Sequence, residues 1–267
     1  MERRIAVVTS FHKAGYETYG KRMIQTFLKN WPKEVELWVY AENVSIEEHE
    51  EGRLHVLPES NDLERFVKTW EGVPKANGDI SGVPRLASRK DSHKPFKWQA
   101  IRFAHKVYAI FDCAKRCSAD ILMWMDADTV CHSPITLETL DRLIPNKIDI
   151  CYLGRQGKYS ECGLYSIALG SPFAQNFLRE FQRMYDEAED GIFQLDEWHD
   201  SFVFDAVRNK IETIEHNWSS GIIKGEGHPL INCEWGAYLD HLKGDRKANG
   251  KSLAKDLRVT RKEKYWQ

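Results

Sequence analysis

The chain has 267 residues, of which 42% are hydrophobic and 12% aromatic, a composition typical of a globular protein. The formal net charge of −2, from 38 Lys and Arg against 40 Asp and Glu, gives no overall attraction to nucleic acid, and we expect no nucleic-acid partner. No apolar run approaches the length of about 18 residues that a membrane span needs, and the six cysteines form no CxxC pair, so we expect a cytoplasmic protein with buried free thiols.

The first part of the chain alternates between strand and helix patterns. Residues 4–10 form an unbroken apolar run, typical of a strand buried on both faces of a parallel sheet and too short for a signal-peptide core. Apolar residues at helical spacing predict a helix over 16–29, and further strands are predicted at 35–40 and 53–57. This order predicts an α/β fold, with a mainly parallel, Rossmann-like central sheet and helices on both faces.

Residues 72–96 interrupt this pattern, because they are rich in Gly, Pro, Ser and Lys. A loop of this length inside a compact domain is usually functional or disordered, and two interpretations stay open: a solvated insertion, or a lid that faces an acceptor or a phosphate. A long helix is predicted next, over 97–115. Arg102 and Lys106 lie four residues apart on it and therefore share one face.

The second part of the chain contains the most apolar predicted strand, at 120–126. After it the patterns predict a short helix at 136–143, strands at 148–153 and 163–169, and a helix at 173–187. We expect one domain over residues 1–267. Its first half covers about 1–130, its second half about 131–250, and 251–267 form a basic tail that leaves room for contact with an anionic membrane surface.

Two aspartates, Asp126 and Asp128, directly follow the strand at 120–126. Residues i and i+2 of an extended segment point the same way, and the carboxyl end of a parallel strand is where α/β sheets open their ligand crevice. Both carboxylates can therefore reach one Mn²⁺ or Mg²⁺ ion, which in turn suits a diphosphate. The alternative interpretation is a pair of surface aspartates in a turn.

A second motif, H-x-x-G-x-x-K, is formed by His241, Gly244 and Lys247. Imidazole can complete the coordination of a manganese ion, glycine lets the backbone approach a phosphate, and lysine adds a positive charge for diphosphate oxygens. A basic helix end with a glycine cap would give the same pattern. Together with Asp126 and Asp128, however, the motif supplies the groups that a metal-bound nucleoside diphosphate needs.

The segment 195–205 is acidic and aromatic, and it supplies candidate catalytic residues. Asp200 is the preferred base for an acceptor hydroxyl, with Glu197 second. An acidic helix N-terminus is the alternative, because Asp and Glu favour the helix dipole there. Trp198 and Trp235 could stack on sugar rings, although large aromatic residues more often belong to the core.

The order of these motifs resembles that of the GT-A fold glycosyltransferases, distantly the glycogenin and lipopolysaccharide galactosyltransferase family. The resemblance covers about residues 4–247. It implies that about 1–130 form a nucleotide-binding half and about 131–250 an acceptor half. It implies a GT-A fold, a Mn²⁺ or Mg²⁺ ion, and a nucleotide-sugar donor, in particular a UDP-sugar. The residues that it places in the metal and donor sites are Asp126, Asp128 and His241 for the metal, and Thr9, Ser10, Phe11, Arg102, Lys106, Asp126, Ala127, Asp128, Gly244 and Lys247 for the donor.

The resemblance also places Ser160–Gly163 near the donor sugar, which adds Glu161 to the catalytic candidates, and Asp200-Ser201 near the anomeric carbon. Three positions depart from the family pattern. Glu161 stands for an asparagine, Ser201 stands for a glutamine, and Ala248-Asn249 follow Lys247 where the family carries Pro-Trp.

The predicted function is that of a metal-dependent glycosyltransferase of the hexosyltransferase type, acting on a glycan or another hydroxyl acceptor. The alternative is a phosphatase of the haloacid-dehalogenase type, because residues 126–130 fit its D-x-D-x-T/V motif with Asp126 as nucleophile. That motif normally follows the first strand of its fold, whereas here about 120 residues come first. A nucleotidyltransferase and an inactive sugar-binding module are weaker alternatives.

Overall fold

The computed structural model describes residues 3–221 and 228–267. In this part of the chain the strands are β1 Ile5–His12, β2 Glu36–Glu42, β3 Leu54–Leu57, β4 Ile121–Met125, β5 Thr129–Cys131, β6 Ile150–Arg155, β7 Lys158–Ala168, β8 Glu215–Asn217 and β9 Leu239–His241. Seven of them form one sheet in the order β3-β2-β1-β4-β7-β6-β8, and β5 pairs with β9 in a second, two-stranded sheet.

The central sheet is mainly parallel. Strands β1, β2, β3 and β4 run parallel to one another, and β6 runs parallel to β8. Strand β7 is the exception, because it lies antiparallel to both β4 and β6. The predicted α/β fold with a mainly parallel sheet is therefore confirmed, with one reversed strand that the apolar pattern did not reveal.

Six longer helices pack around the sheet: α1 Lys21–Asn30, α2 Asn61–Trp70, α3 Ala100–Arg116, α4 Leu137–Leu143, α5 Pro172–Asp186 and α6 Asp200–Arg208. A helical turn, Lys13–Gly15, and a π-helical turn, Tyr16–Gly20, precede α1. Side chains cap the N-termini of α2, α4, α5 and α6. Ser60 accepts a hydrogen bond from Leu63 N at the start of α2, and Ser171 accepts one from Ala174 N at the start of α5.

Short helical turns make up much of the rest of the described chain. They are Pro74–Asn77, Pro84–Ala87, Pro95–Trp98, Ile192–Gln194, Pro229–Asn232, Glu234–Ala237, Arg246–Asn249 and Ala254–Asp256. The first three lie in or beside the predicted loop 72–96, which is thus built from tight turns. The Pro residue that opens each of these three turns has a backbone dihedral suited to a first helical position.

Two apolar cores lie on opposite faces of the sheet. One contains side chains of α2, α3, α5 and α6, and the other contains side chains of α1 and α4. Helices therefore cover both faces, as predicted. Trp198 belongs to the first core and Trp235 to the second, and both are 0% exposed. Neither side chain can stack on a bound sugar.

All six cysteines lie among the described residues and are free thiols, five of them buried. None of the helices in the described ranges combines the length and apolar character needed to cross a bilayer. The division of the chain into two halves and a tail stays a prediction. Of the predicted domain 1–267, residues 1, 2 and 222–227 lie outside the described residues.

Candidate active site

A cavity of about 680 Å³ opens at the carboxyl ends of β1, β2 and β4. This edge of a parallel sheet is the usual place for a ligand site in α/β proteins. The cavity brings together all of the sequence-predicted site residues except Thr9 and Glu197. Those that line it are Ser10, Phe11, Arg102, Lys106, Asp126, Ala127, Asp128, Glu161, Asp200, His241, Gly244 and Lys247.

The backbone holds the segment 126–128 between two strands. Asp126 N donates a hydrogen bond of 2.8 Å to the Gly163 carbonyl of β7, and Leu242 N donates one of 2.9 Å to the Asp128 carbonyl. Because β5 pairs with β9, Thr129 lies opposite His241. Residues separated by more than a hundred positions in sequence thus meet because β9 returns to the end of β4.

The carboxylates of Asp126 and Asp128 and the imidazole of His241 converge, with one possible ligand atom from each lying within 4.8 Å of the others. His241 Nε2 is 2.9 Å from Asp128 Oδ1 and 3.5 Å from Asp126 Oδ2. The imidazole is fully buried. Despite the short distance to Asp128, neither of its nitrogens has the geometry of a hydrogen bond to a described residue. Two carboxylates and an imidazole fit the donor set of Mn²⁺ or Mg²⁺.

The charges around Asp128 favour its ionised form. Burial alone would raise the pKa of the Asp128 carboxyl, but His241 and Lys247 hold that pKa well below its ordinary value. Lys247 Nζ lies 3.0 Å from Asp128 Oδ2. The carboxylate that faces His241 is therefore negatively charged at neutral pH, as a metal ligand must be.

Lys106 connects the metal-ligand candidates to the rest of the cavity. Its Nζ donates to Asp126 Oδ1 at 3.0 Å and to the Cys162 carbonyl, and it lies 2.7 Å from Asp200 Oδ2. Burial would lower the pKa of Lys106, but Asp126 and Asp200 hold it well above its ordinary value. Trp124 Nε1 also donates to Asp126 Oδ1 at 2.6 Å, so Oδ2 is the Asp126 oxygen left to face His241.

The rest of the second motif forms the turn after β9. Gly244 has a backbone φ of +59°, a left-handed conformation that favours glycine, and leads into the helical turn Arg246–Asn249 that carries Lys247. The Lys247 ammonium lies 4.5 Å from the centre of the Tyr19 ring. The motif therefore forms part of the cavity wall. The alternative interpretation, a basic helix end with a glycine cap, does not account for this position.

Glu161 lies inside strand β7, whereas the family that the sequence resembles carries a turn at the positions matched by Ser160–Gly163. Its side chain is 4% exposed, and it is 2.5 Å from Lys243 Nζ and 3.5 Å from Arg155 Nη1. Burial would raise the pKa of Glu161, but Lys243 and its other positive neighbours hold that pKa well below its ordinary value. The group is ionised at neutral pH, so it accepts hydrogen bonds and does not deliver a proton.

The two preferred catalytic residues of the segment 195–205 occupy different places. Asp200 is the first residue of α6 and lines the cavity, paired with Lys106. Glu197 does not line the cavity. It is 5% exposed and is held by Lys97 at 2.6 Å, by Arg89 at 3.3 Å and by His199 at 2.9 Å.

The predicted site residues near the end of β1 also differ in whether they line the cavity. Ser10 and Phe11 line the cavity, whereas the Thr9 side chain is 0% exposed and lies in the sheet. Side chains alternate between the two faces of a strand, so neighbours in sequence cannot all point to one site. Arg102 is exposed at the rim, one turn before Lys106 on α3. Of the predicted loop 72–96, the described residue that reaches the cavity is Phe96.

Several cavity residues were not predicted from the sequence. Arg155, Lys158 and Tyr159 come from the β6–β7 hairpin, and Lys243 stands inside the second motif, where its two-residue spacing from His241 was visible. At the other end of the cavity are Glu42, Glu59 and His105, whose ligand atoms also lie within 4.8 Å of one another. Glu42 ends the strand next to β1, a position that the strand order could have suggested.

Comparison with known proteins returns solved structures only: no family model and no curated protein matches the chain. A bifunctional glycosyltransferase, WbbM, matches with 12% identity and a TM-score of 0.47 over 82% of this chain and 39% of its own. The glycosyltransferase GlyE of Streptococcus pneumoniae TIGR4 matches with 9% identity and a TM-score of 0.43 over 81% and 45%. Mouse xyloside xylosyltransferase 1 matches with 10% identity and a TM-score of 0.41 over 80% and 84%.

These three structures are of sugar-transferring enzymes. The chain spans less than half the length of the WbbM and GlyE chains.

Proposed function

We propose that the protein is a metal-dependent glycosyltransferase that moves a sugar from a nucleotide-sugar donor, specifically a UDP-sugar, to a hydroxyl acceptor such as a glycan. The observation that carries the proposal is the convergence of Asp126, Asp128 and His241 beside Lys247 in one cavity. Two oxygen ligands, one imidazole and an adjacent ammonium are the groups needed to hold a cation together with a diphosphate.

In this proposal Asp126, Asp128 and His241 hold Mn²⁺ or Mg²⁺, which would stabilise negative charge on the departing nucleoside diphosphate. Lys247 adds a second positive charge from the same side, since its ammonium is 3.0 Å from Asp128. Gly244 lets the backbone of the turn come close to phosphate oxygens, because it carries no side chain. Ser10 and Phe11, at the end of β1, lie where the nucleoside would bind.

Lys106 is a positioning residue in this account. Its ammonium fixes Asp126 Oδ1 and Asp200 Oδ2, so that neither carboxylate is free to rotate. Asp200 is the carboxylate that we propose near the reacting carbon, and its pairing with Lys106 keeps it in place. Glu161 is a charged acceptor of hydrogen bonds on the opposite wall. The sugar and its acceptor then occupy the space between α6 and the β6–β7 hairpin.

The test is a nucleotide-release assay with a panel of UDP-sugars and GDP-sugars, each with Mn²⁺ and with a chelator. We expect release of UDP from at least one UDP-sugar with Mn²⁺ and none with the chelator. Release that does not depend on the metal would contradict the roles of Asp126, Asp128 and His241. Hydrolysis of simple phosphate esters, with an aspartyl-phosphate formed on Asp126, would instead support a phosphatase.

The phosphatase alternative has no support in the described residues. A nucleophilic Asp126 would need a free oxygen facing the cavity, but its Oδ1 accepts from Lys106 and Trp124 and its Oδ2 faces His241. As to compartment, we propose that the enzyme works in the cytoplasm, a proposal supported by its free, mostly buried thiols.

A further inference from the structure

Three cationic side chains surround the part of the cavity that lies beside β7. Arg155 and Lys158 flank the β6–β7 turn, and Lys243 follows β9; all three line the cavity. We call Arg155, Lys158 and Lys243 the cationic subsite. The proposed function does not use them, because the Asp126, Asp128 and His241 ligands and Lys247 already provide for a diphosphate.

The cationic subsite has more positive charge than its own carboxylate can balance. Glu161 is shared, at 2.5 Å from Lys243 Nζ and 3.5 Å from Arg155 Nη1. In the described ranges, 3–221 and 228–267, no carboxylate lies within ion-pair distance of Lys158. Partial burial, and after it the charges of Arg155 and Lys243, lower the pKa of Lys158 from its ordinary value, although Glu161 raises it.

Hydrogen bonds and ring contacts hold the side chains of the cationic subsite in place. Arg155 Nε donates to the Tyr159 carbonyl at 2.8 Å and Nη2 donates to the Ser160 carbonyl at 3.3 Å, so the guanidinium closes the hairpin on itself. The Tyr159 ring lies between the cations, with its centre 5.1 Å from Arg155 Cζ and 5.5 Å from Lys158 Nζ. The same ring meets His199 at 4.5 Å, which fixes it against α6.

The cationic subsite borders the metal-ligand candidates, since ligand atoms of Glu161 and His241 lie within 4.8 Å of each other. Lys243 stands two residues after His241, and Glu161 stands two residues before Gly163. A Cβ at Gly163 would lie 2.5 Å from His241 Cε1, which shows how closely β7 approaches the imidazole. A sugar that extends from the diphosphate past His241 therefore enters this side of the cavity.

We propose that the cationic subsite binds an anionic substituent, a carboxylate or a phosphate, on the sugar substrate. Such a group would be the counter-ion that Lys158 lacks among the described residues and would share Arg155 and Lys243 with Glu161. The inference rests on the proposed function, since it assumes that a nucleotide-sugar occupies the cavity. The anionic group has two sources, the donor sugar or the acceptor, and both leave the same chemical requirement.

The test uses titration calorimetry in Mn²⁺ to compare ligands that differ by one anionic group. UDP-glucose against UDP-glucuronic acid tests the donor. Glucose against glucose 6-phosphate and against glucuronic acid, each with UDP present, tests the acceptor. We expect the anionic member to bind about tenfold more tightly in at least one pair, the gain typical of one charge-assisted hydrogen bond. The pair that shows the preference identifies the source.

Variants of Lys158 test the assignment, because this side chain is exposed and its replacement leaves Glu161 paired. We expect Lys158→Gln to reduce the preference several-fold and Lys158→Glu to abolish it. Lys33→Gln, an exposed lysine in the turn before β2 at the opposite edge of the sheet, should keep it. The readout is a ratio, so a general weakening of binding cancels.

The outcomes separate the two proposals. Binding of UDP with no preference for the charged member of any pair overturns the inference and leaves the proposed function standing. A preference that survives in Lys158→Glu also overturns it. Failure of every nucleotide to bind overturns the proposed function, and the inference that rests on it falls as well.

Discussion

The Lys106 ammonium connects polar and charged groups from several elements that line the cavity. It holds Asp126 and Asp200, two carboxylates that come from β4 and α6, and also a carbonyl of β7. The Lys106 side chain is 12% exposed and that of Asp200 is 8% exposed, so water cannot take the place of either partner if one is removed. An ion pair of this kind matters most when one partner is removed, because a buried charge is then left alone.

We therefore predict that Lys106→Met lowers the free energy of unfolding by about 3 kcal/mol, the usual cost of leaving a buried charge unpaired. Arg102→Met is the matched control, one turn away on the same helix face and exposed, and should change stability by less than about 0.5 kcal/mol. Urea denaturation followed by fluorescence measures both. Equal stability of the two variants would show that Lys106 does not hold the site together.

Gly163 is the second residue on which the site depends, because β7 passes directly against the imidazole. A Cβ at this position would lie 2.5 Å from His241 Cε1, 2.7 Å from Nδ1 and 3.3 Å from Asp126 Oδ2. The imidazole is fully buried and would have to move. We predict that Gly163→Ala weakens Mn²⁺ binding about 10- to 100-fold, as expected for a displaced ligand.

Gly170→Ala provides the control for this substitution. Gly170 ends the same strand region, is exposed, and has nothing within 4 Å of an added Cβ. Mn²⁺ affinity, measured by calorimetry, should be unchanged in this variant. If Gly163→Ala binds Mn²⁺ as tightly as Gly170→Ala does, then His241 is not a metal ligand.

At the scale of elements, a charged network that the sequence did not reveal holds the segment 72–96 against Asp196 and Glu197, which precede α6. Lys97 lies 2.6 Å from both Asp91 and Glu197. Arg89 and Lys97 hold the pKa of Asp91 well below its ordinary value; burial would raise the pKa of Glu197, but His199 and Lys97 hold it below. Carboxyl groups with lowered pKa values stabilise the fold at neutral pH and lose this effect as pH falls through the lowered values.

We predict that Lys97→Met frees this segment at neutral pH, where both carboxylates are ionised and would repel each other without the lysine. Trypsin should then cleave after Arg85, Arg89 or Lys90 about tenfold faster, since opening by about 1.4 kcal/mol corresponds to that factor. Lys68→Met, an exposed change on α2, is the control. Equal cleavage rates for the two variants would contradict a structural role of the network.

The C-terminal tail supports the strand that carries His241. Asp240, beside His241 in β9, is 0% exposed and accepts hydrogen bonds from Ser252 N, Ser252 Oγ and Tyr265 Oη. Trp266 Nε1 donates to the Gly236 carbonyl at 2.7 Å. Part of the tail that was expected from its basic composition to contact a membrane surface is thus packed on the protein, and membrane contact by its exposed lysines stays a prediction.

Local patterns predicted elements well where the signal is local. The apolar runs gave β1 and β4, and helical spacing gave α1, α3 and α5, each within a few residues. Helix α2 was missed although Ser60 caps it and its apolar residues have helical spacing. The reversal of β7 could not be read from an apolar run, because a buried strand looks the same in either direction.

At the scale of the whole molecule, the site is assembled from segments that are distant in sequence. The Asp126 and Asp128 pair was predictable from its place after a buried strand, and His241 from its spacing to Gly244 and Lys247. The burial of Thr9, the distance of Glu197 from the cavity and the cationic hairpin at 155–158 were not predictable. They depend on strand pairing and on ion pairs between residues far apart in the chain.

We propose that one metal ion and one nucleoside diphosphate bind together at Asp126, Asp128 and His241. The most direct measurement is a thermal-shift panel of nucleoside diphosphates, each with and without Mn²⁺, on the wild type, on Asp128→Asn and on Asp245→Asn. Asp245 is an exposed aspartate in the same turn as Lys247, which makes it a matched control.

We predict that UDP raises the melting temperature of the wild type and of Asp245→Asn only when Mn²⁺ is present, and that Asp128→Asn shows no such shift. A shift by UDP that is independent of Mn²⁺, an unaltered shift in Asp128→Asn, or no shift with any nucleotide would contradict it.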